Sequence, residues 1–449
     1  MVRALPASLV LIVCLTSLLS AQPAARPQQT REQKVRGDKV KYETAGFWIY
    51  NDLAQGFAEA KSTGKPLLVV LRCLPCEHCV KLDDELVETD KNLRPLLEKF
   101  VRVRVISANG LDLSLFQFDT DQSYAVFMLN GDGAIYGRYG TRSDQTLYAD
   151  DVSIEGLAKA LDGALALHAA YPANKAELAL KRGPAPEYAA PEKFPLLQGK
   201  YGAQINYEGN VVQSCIHCHQ IGDAVKQSVR EKKGSFSDEV LFPYPHPKAL
   251  GLSLSPRERA QVTRVDAGSL AAKAGFEAGD EIQKIGGQTP LSIADVQWVL
   301  HHTPASGSVV PATVLRAGKS VDLKFNLPEG WRRLDDISWR VSTWQLRRMA
   351  LGGLFLKKLT EAQREELSLP NTKWTLRAEH VGQFAPHNGA KEAELRKGDV
   401  LISFNGRADF TRETDLLAYA LNELSAGTAI PLVVWREGKQ IELSLKIPK

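Results

Sequence analysis

Five cysteines and a few histidines carry the chemistry that this sequence offers. Cys76 and Cys79 are separated by two residues, and Cys73 stands three residues before them. Far along the chain comes Cys215-Ile216-His217-Cys218-His219. A Cys-x-x-Cys-His run has the spacing of covalent haem c attachment. Two thiols at that separation reach the two vinyl groups on one porphyrin edge, and the next residue, His219, becomes the axial ligand of the iron. Zinc held by Cys215, Cys218, His219 or His217 and one further His is the alternative cofactor; a disulfide is the third reading. The sixth position of the iron is expected to fall to His246, or to stay open, because the methionines are only Met1, Met128 and Met349.

The sixth cysteine, Cys14, lies in an apolar run from Ala4 to Leu19, preceded by Arg3 and followed by small residues. That is the pattern of a secretory signal peptide, assigned to residues 1–21. The run is shorter than the ~20 residues of a spanning helix, so a membrane is expected only through an uncleaved anchor. Residues 22–44 are polar and basic and read as a tether. The remainder is then expected to fold in a periplasm. Tight Cys-x-x-Cys clusters in an exported chain of this size point to redox or cofactor chemistry rather than to staples.

The 449 residues are 44% hydrophobic and 24% charged, ordinary for globular material. Lysine and arginine number 56 against 52 acidic residues, a net +4. Such interspersed charge gives no ground for a nucleic-acid partner. The length suggests about three domains.

The elements that must position the first cysteines follow from the apolar pattern. Residues 51–62 have helical spacing, and the aliphatic run 67–71 reads as a buried central strand. Helices are expected over 80–87 and 93–100, and a strand over 101–106. Runs 125–129 and 134–139 flank Asn130-Gly-Asp-Gly133, a hairpin signal. A helix over 154–169 closes the unit. This order, with Pro66-Leu-Leu-Val-Val70 followed by Cys76-Glu-His-Cys79, resembles the thioredoxin fold over residues 45–170. The resemblance implies an α/β/α domain in which Cys76 attacks and Cys79 resolves. A thiol at a helix N-terminus is favoured as thiolate, which suits that role. Two features depart from the family: no proline stands near Tyr124, where a cis-proline is expected, and Pro75 replaces the usual tryptophan. Cys73 could extend the motif toward a metal, but Asp83 stands where an iron–sulfur run needs its last cysteine.

Residues 171–199 are rich in Ala, Pro, Lys and Glu and read as a linker. The following stretch, residues 200–247, resembles the start of c-type cytochromes through Cys215 to His219 and Gln220-Ile221-Gly222. About fifty residues make a thin free-standing core, so neighbouring domains are expected to cover the haem.

The C-terminal half holds Ala249-Leu-Gly-Leu-Ser-Leu254, then Asp266 to Ile282 with Gly275 and Gly279, and Lys284-Ile-Gly-Gly287. This resembles a bacterial PDZ domain of the type attached to exported serine proteases, over residues 248–328. The pattern recurs over 329–449, where Lys397-Gly-Asp-Val-Leu-Ile-Ser-Phe-Asn-Gly406 matches Gly279 to Gly287, a divergent internal repeat. The expected architecture is thus multidomain α/β and β, ending in two PDZ-like, partly open β-barrels with helices. The resemblance implies a peptide site at Leu250, Gly251, Leu252, Ser253 and Leu254, where a partner's C-terminus adds a strand. Leu351 to Phe355 is the equivalent in the second copy. No protease motif accompanies these units, and His301-His302 reads as a solvated turn.

Three functional readings follow. The first is an exported haem c protein that transfers or senses electrons, with PDZ domains recruiting a redox partner. The second is a PDZ adaptor with an inert thioredoxin fold. The third is a thiol–disulfide oxidoreductase whose PDZ domains choose substrates.

Overall fold

A computed structural model describes residues 29–72, 93–122, 124–141, 151–369 and 373–448. The signal segment, Cys73, Cys76, Cys79 and the helix expected over 80–87 lie outside the described residues. No described helix is long and apolar enough to cross a membrane.

The first domain is built on a five-stranded sheet. In chain order its strands are β1 (Ile49–Tyr50), β2 (Leu67–Arg72), β3 (Val101–Val105), β4 (Tyr124–Leu129) and β5 (Ile135–Thr141). Their spatial order is β1-β3-β2-β4-β5. β2 lies parallel to β3 and antiparallel to β4. The continuous aliphatic run predicted as a central strand is buried at all six positions. Its alternation divides the core in two. Leu68 and Val70 face helix α3 (Ile154–Ala169; α1 and α2 are given below), while Leu67, Val69 and Leu71 face the other layer. The hairpin turn forms as expected: Asn130 Oδ1 accepts from the Asp132 and Ala134 amides at 3.0 and 2.9 Å. Tyr124 pairs with Arg72 and Thr141 as ordinary ladder residues.

Three expected segments turn out to be integral. The tether is instead helix α1 (Arg31–Ala45), started by a capping box between Thr30 and Gln33. It buries only Val35 and Tyr42, too few apolar positions to show a helical period. Tyr42 carries the Arg104 guanidinium 3.9 Å above its ring, and Asp38 pairs with buried Arg72 at the end of β2. The linker buries Leu178, Lys181, Phe194 and Leu197. The segment 200–247 is no separate core: Ile216, Ile221 and Ala224 join Val69, Phe127 and helix α2 (Leu53–Thr63) in one cluster through residues such as Ala60. This third segment completes the open face of the sheet. It does so with helix α4 (Cys218–Glu231).

Two β-rich units follow. The first has strands β6 (Leu252–Leu254), β7 (Val262–Val265), β8 (Glu281–Ile285), β9 (Ser308–Arg316) and β10 (Lys319–Leu327). Helices α5 (Leu270–Ala274) and α6 (Ile293–His301) lie between them. The second begins with α7 (Thr343–Leu351) and forms one sheet, β11-β12-β13-β14-β15. Those strands are Leu354–Lys358, Leu376–Val381, Val400–Phe404, Ala429–Arg436 and Lys439–Lys446, with α8 (Glu413–Glu423) between β13 and β14.

A buried ionic cluster ties these parts together. Arg340 Nη1, ahead of α7, lies 2.6 Å from Asp119 and 3.4 Å from Asp121 of the first domain. Asp121 also accepts from the Ser342 amide and hydroxyl at 2.8 and 2.7 Å, and Lys226 of α4 donates to the same hydroxyl. None of these charged side chains is more than 5% exposed. Arg340→Ala therefore leaves two buried carboxylates without their guanidinium, a loss of about 3–5 kcal/mol. Thermal or urea unfolding of the full chain is expected to show it, with Arg340→Lys intermediate because one ammonium cannot serve the same forked geometry.

Candidate functional site

The Cys-x-x-Cys-His segment is held from three sides. Glu32 of α1 accepts from the Val211 and Val212 amides at 3.0 and 3.1 Å. Asn109, in the loop after β3, accepts from the Ile216 amide at 2.8 Å and donates to the Ser214 carbonyl at 3.0 Å. The Ala108 amide donates to the Ile216 carbonyl at 2.9 Å. His217 precedes α4 and donates its amide to Gln220 Oε1 at 2.8 Å. Cys218 and His219 thus occupy the first turn of α4.

Cys215 and Cys218 are both free thiols. Cys215 Sγ lies 3.1 Å from the Val211 carbonyl, within a cluster containing Val35, Ile106 and Ile205. Cys218 is half-buried against the first domain's core. Burial pushes the Cys215 thiol up to about 11 and the Cys218 thiol up to about 12. Burial thus favours the neutral thiol at both positions and works against spontaneous disulfide exchange there. Among the described residues no three His, Cys, Asp or Glu side chains converge as a metal cage. Two free thiols followed by an imidazole are the donor types that a haem thioether site would use, with Cys215 3% exposed in its packed cluster. Asp223, one turn after His219, brings its carboxylate to 3.5 Å from His219 Nδ1. A carboxylate in that place orients a ligating ring and raises its basicity. The 37% exposure of His219 leaves the side chain accessible. The His217 and His219 rings lie parallel, 5.7 Å apart.

His246 is corrected as an iron ligand. It is 1% exposed, its Nδ1 accepts from the Lys248 amide at 3.1 Å, and its Nε2 lies 3.1 Å from Asp151 Oδ1. Both ring nitrogens are engaged in capping the turn 247–250 and holding Asp151. The sequence suggested a ligand because a lone His followed the motif; nothing in it announced Asp151 as its partner.

The expected peptide-binding residues lie together. Leu250 ends that turn, Gly251 takes φ 79°, and β6 follows. A Cβ on Gly251 would stand 2.2 Å from Ser269 Cβ, so both conformation and space require glycine there. The Asp266 amide donates to the Gly251 carbonyl and the Ser255 amide to the Gln261 carbonyl. Gly251, Ser253 and Ser255 therefore point their backbone groups at β7, and the amides of Leu252 and Leu254 point to the other side. Their side chains are 0% and 2% exposed and share a core with α6.

The second unit repeats this plan down to its ion pairs. Asp280 accepts from the Glu277 amide at 2.9 Å and from Arg316 Nε and Nη2 at 2.7 and 2.8 Å. Asp399 accepts from the Arg396 amide at 2.9 Å and from Arg436 Nε and Nη2, both at 2.7 Å. The Val262 amide donates to the Asp280 carbonyl as the Ala378 amide does to Asp399, both at 2.8 Å. The copies differ at the strand that precedes these. In the second, the outward amide of Leu356 is taken by Glu413 Oε1 at 2.8 Å, and Glu413 is itself paired with Arg347 at 2.6 Å. In the first, Ile293 begins the corresponding helix and offers no acceptor. Asn109, Asp223 and Glu413 went unrecognised in the sequence. Only Asp223 left a signal there, four residues after His219 on one helix face.

His302 is exposed in the turn after α6, as expected, but His301 is helical and packed. Their rings lie 3.9 Å from Tyr244 and 3.7 Å from Trp298. Burial, then the charges of His302, Arg332, Arg340 and Arg138, hold His301 well below its usual 6.5. The unfolded chain binds a proton there that the folded chain refuses, so this group contributes stability at neutral pH that is lost as pH falls below about 6.5. His301→Phe is expected to flatten that loss, read as urea midpoints between pH 7 and pH 5; equal slopes in both proteins refute the assignment.

Comparison with known proteins agrees with two of the units. The thioredoxin-like family matches residues 48–131, and the PDZ domain family matches residues 261–311. A probable periplasmic serine protease do/HhoA-like of Haemophilus influenzae (strain ATCC 51907 / DSM 11121 / KW20 / Rd) is 29% identical over 193 residues. That match covers 41% of this chain and 37% of the relative, so the chain spans little more than a third of that protein's length. Solved structures of the HtrA-type protease AlgW with a decapeptide and with a tripeptide are 18% and 20% identical, covering 30% of this chain and 41% and 42% of theirs. Their TM-scores are 0.20 and 0.19. The chain carries a thioredoxin-like domain and a PDZ domain.

Proposed function

We propose that this chain is an exported adaptor whose PDZ domain, residues 248–328, captures an extended segment or C-terminus of a partner protein. A single contrast carries the reading. The first unit's helix starts with apolar Ile293, whereas Glu413 at the start of the second unit's helix accepts from the outward Leu356 amide. Strand addition needs free backbone groups along one edge. Residues 329–449 then form a second PDZ-like domain that serves packing, its groove filled by the Arg347–Glu413 pair. Export to a periplasm is supported by the apolar leader and by the likeness to a probable periplasmic protease.

The test is a fluorescein-labelled decapeptide pool randomised over its last four positions, titrated with the full chain. Leu254→Pro removes the outward N–H and leaves the bonds to β7 in place. It is expected to weaken binding at least tenfold, while Glu413→Gln leaves it unchanged. Far-UV circular dichroism checks that the variants fold. Equal binding by Leu254→Pro and the parent would overturn the groove assignment.

A second reading has its own support, in the free Cys215 and Cys218 thiols and in Asp223 beside His219. It makes the chain a haem c protein with thioethers at Cys215 and Cys218 and iron ligated by His219, able to exchange electrons with a redox partner. Dithiol chemistry at Cys76 and Cys79 would be a separate activity. Expression with cytochrome c maturation should give haem that survives denaturing electrophoresis and a sharp reduced α-band. Cys218→Ser should lose the covalent stain, and His246→Ala should leave the band in place. A colourless, folded chain rejects this reading and leaves the adaptor.

A further inference from the structure

The thioredoxin-like domain touches helix α6 and the chain on either side of β6. On the helix wall, Asp295 of α6 accepts from the Arg138 amide at 3.1 Å and from buried Lys181 Nζ at 3.2 Å. Arg138 lies 3.6 Å above the Trp298 ring, Ser292 donates to the Arg138 carbonyl, and Trp298 Nε1 donates to the Leu180 carbonyl at 3.2 Å. Residues 293–300 are all buried, between the core of their own unit and these contacts. On the strand wall, Asp151 reaches His246 and Lys248 just before the loop, at 3.1 and 3.3 Å. Ser153 donates to the Pro256 carbonyl just after β6, at 2.9 Å. Tyr139 links the two contacts, since its hydroxyl donates to the Ser153 carbonyl at 2.6 Å and accepts from the Ser153 amide at 2.8 Å. Residues 151–153 thus hold the chain both before and after β6.

Two glycines permit this approach. A Cβ on Gly156 would stand 2.1 Å from the Pro256 carbonyl oxygen. One on Gly137 would stand 2.7 Å from Leu291 and 2.8 Å from the Asp295 carboxylate. Gly156 lies in α3, where alanine is by itself the better helix former. Its glycine is explained by the domain contact and by nothing within the helix.

We infer that the thioredoxin-like domain bridges the PDZ groove and holds it shut, so that partner capture requires this interface to open. The inference rests on the groove being the binding site. It assigns the thioredoxin-like domain the part of an internal cover, whether or not its own cysteines react. The ligand chemistry stays that of an extended chain end; what the cover sets is the fraction of molecules able to accept it, and apparent affinity scales with that fraction.

Gly156→Ala inserts a methyl group as a wedge at the interface while favouring the helix that carries it. Gly137→Ala does the same at the other wall. Hydrogen exchange of the Leu252 and Leu254 amides and binding of the randomised decapeptide pool are measured on the full chain. Both variants are expected to exchange those amides at least tenfold faster and to bind the pool at least tenfold more tightly than the parent. Unchanged exchange with parent-like binding overturns the cover and leaves the adaptor reading intact. Faster exchange with no gain in binding overturns both, since the opened groove would then capture nothing. An Ala158→Gly variant, two residues on and so turned to the opposite face of the helix, controls for changes within α3.

Discussion

The arrangement depends on one buried charge cluster. Asp119 and Asp121 sit in the loop that leads into β4, Arg340 and Ser342 stand ahead of the last domain, and Lys226 comes from α4. Removing five such groups from water is costly, and only mutual pairing in one geometry offsets it. A hydrophobic patch could slide; a forked guanidinium between two carboxylates has one register. This cluster therefore fixes how the last unit, the cysteine helix and the first sheet meet. The Asp295 clamp then fixes the PDZ helix on the neighbouring edge strand with the same logic: one carboxylate, Lys181 and the Arg138 backbone. Covering β5 in this way also removes an exposed strand edge.

The two C-terminal units show how one plan diverges. Both keep a Gly-Asp turn whose carboxylate receives a backbone amide and an arginine from the hairpin end. That device ties the turn to the hairpin end in both units and is indifferent to ligands. The difference lies at the first residue of the groove helix, where isoleucine in one copy and glutamate in the other decide whether an edge amide is free. Glu413 is tolerated only because Arg347 enters on α7, which also packs into the space above β11 through Trp344 and Phe355. Burial raises the Glu413 carboxyl against that pairing.

Much of the fold was legible because burial writes itself into apolar pattern. The run 67–71, the Asn130 turn and the helix 154–169 appear where periodicity put them, and the Gly-Asp repeat marks the corresponding turns of the two β-rich units. The tether and linker were misjudged for a physical reason. Helix α1 is held by polar contacts such as Asp38 with Arg72 and Glu32 with the Val211 amide, which have no period. The segment 171–199 buries isolated residues one at a time. Of the candidate site, the thiols and His219 were legible from spacing alone. Asn109, Asp151 and Glu413 were not, because each acts across a long stretch of chain on a backbone group or a distant side chain.

The shared core of the first sheet and α4 has a consequence in time. The strands that α4 covers are finished by residue 141, but Ile216 and Ile221 arrive some eighty residues later, and Arg340 meets Asp119 across 221 residues of chain. A polypeptide that emerges amino end first cannot complete its first domain when that domain's sequence is out. Its sheet keeps one greasy face until the cysteine helix docks, and two carboxylates stay hydrated until the last domain appears. Contacts of such separation form late and slowly. The protein is thus ordered for assembly from its far end backward, and its interval of greatest risk of aggregation lies in the middle of its own delivery.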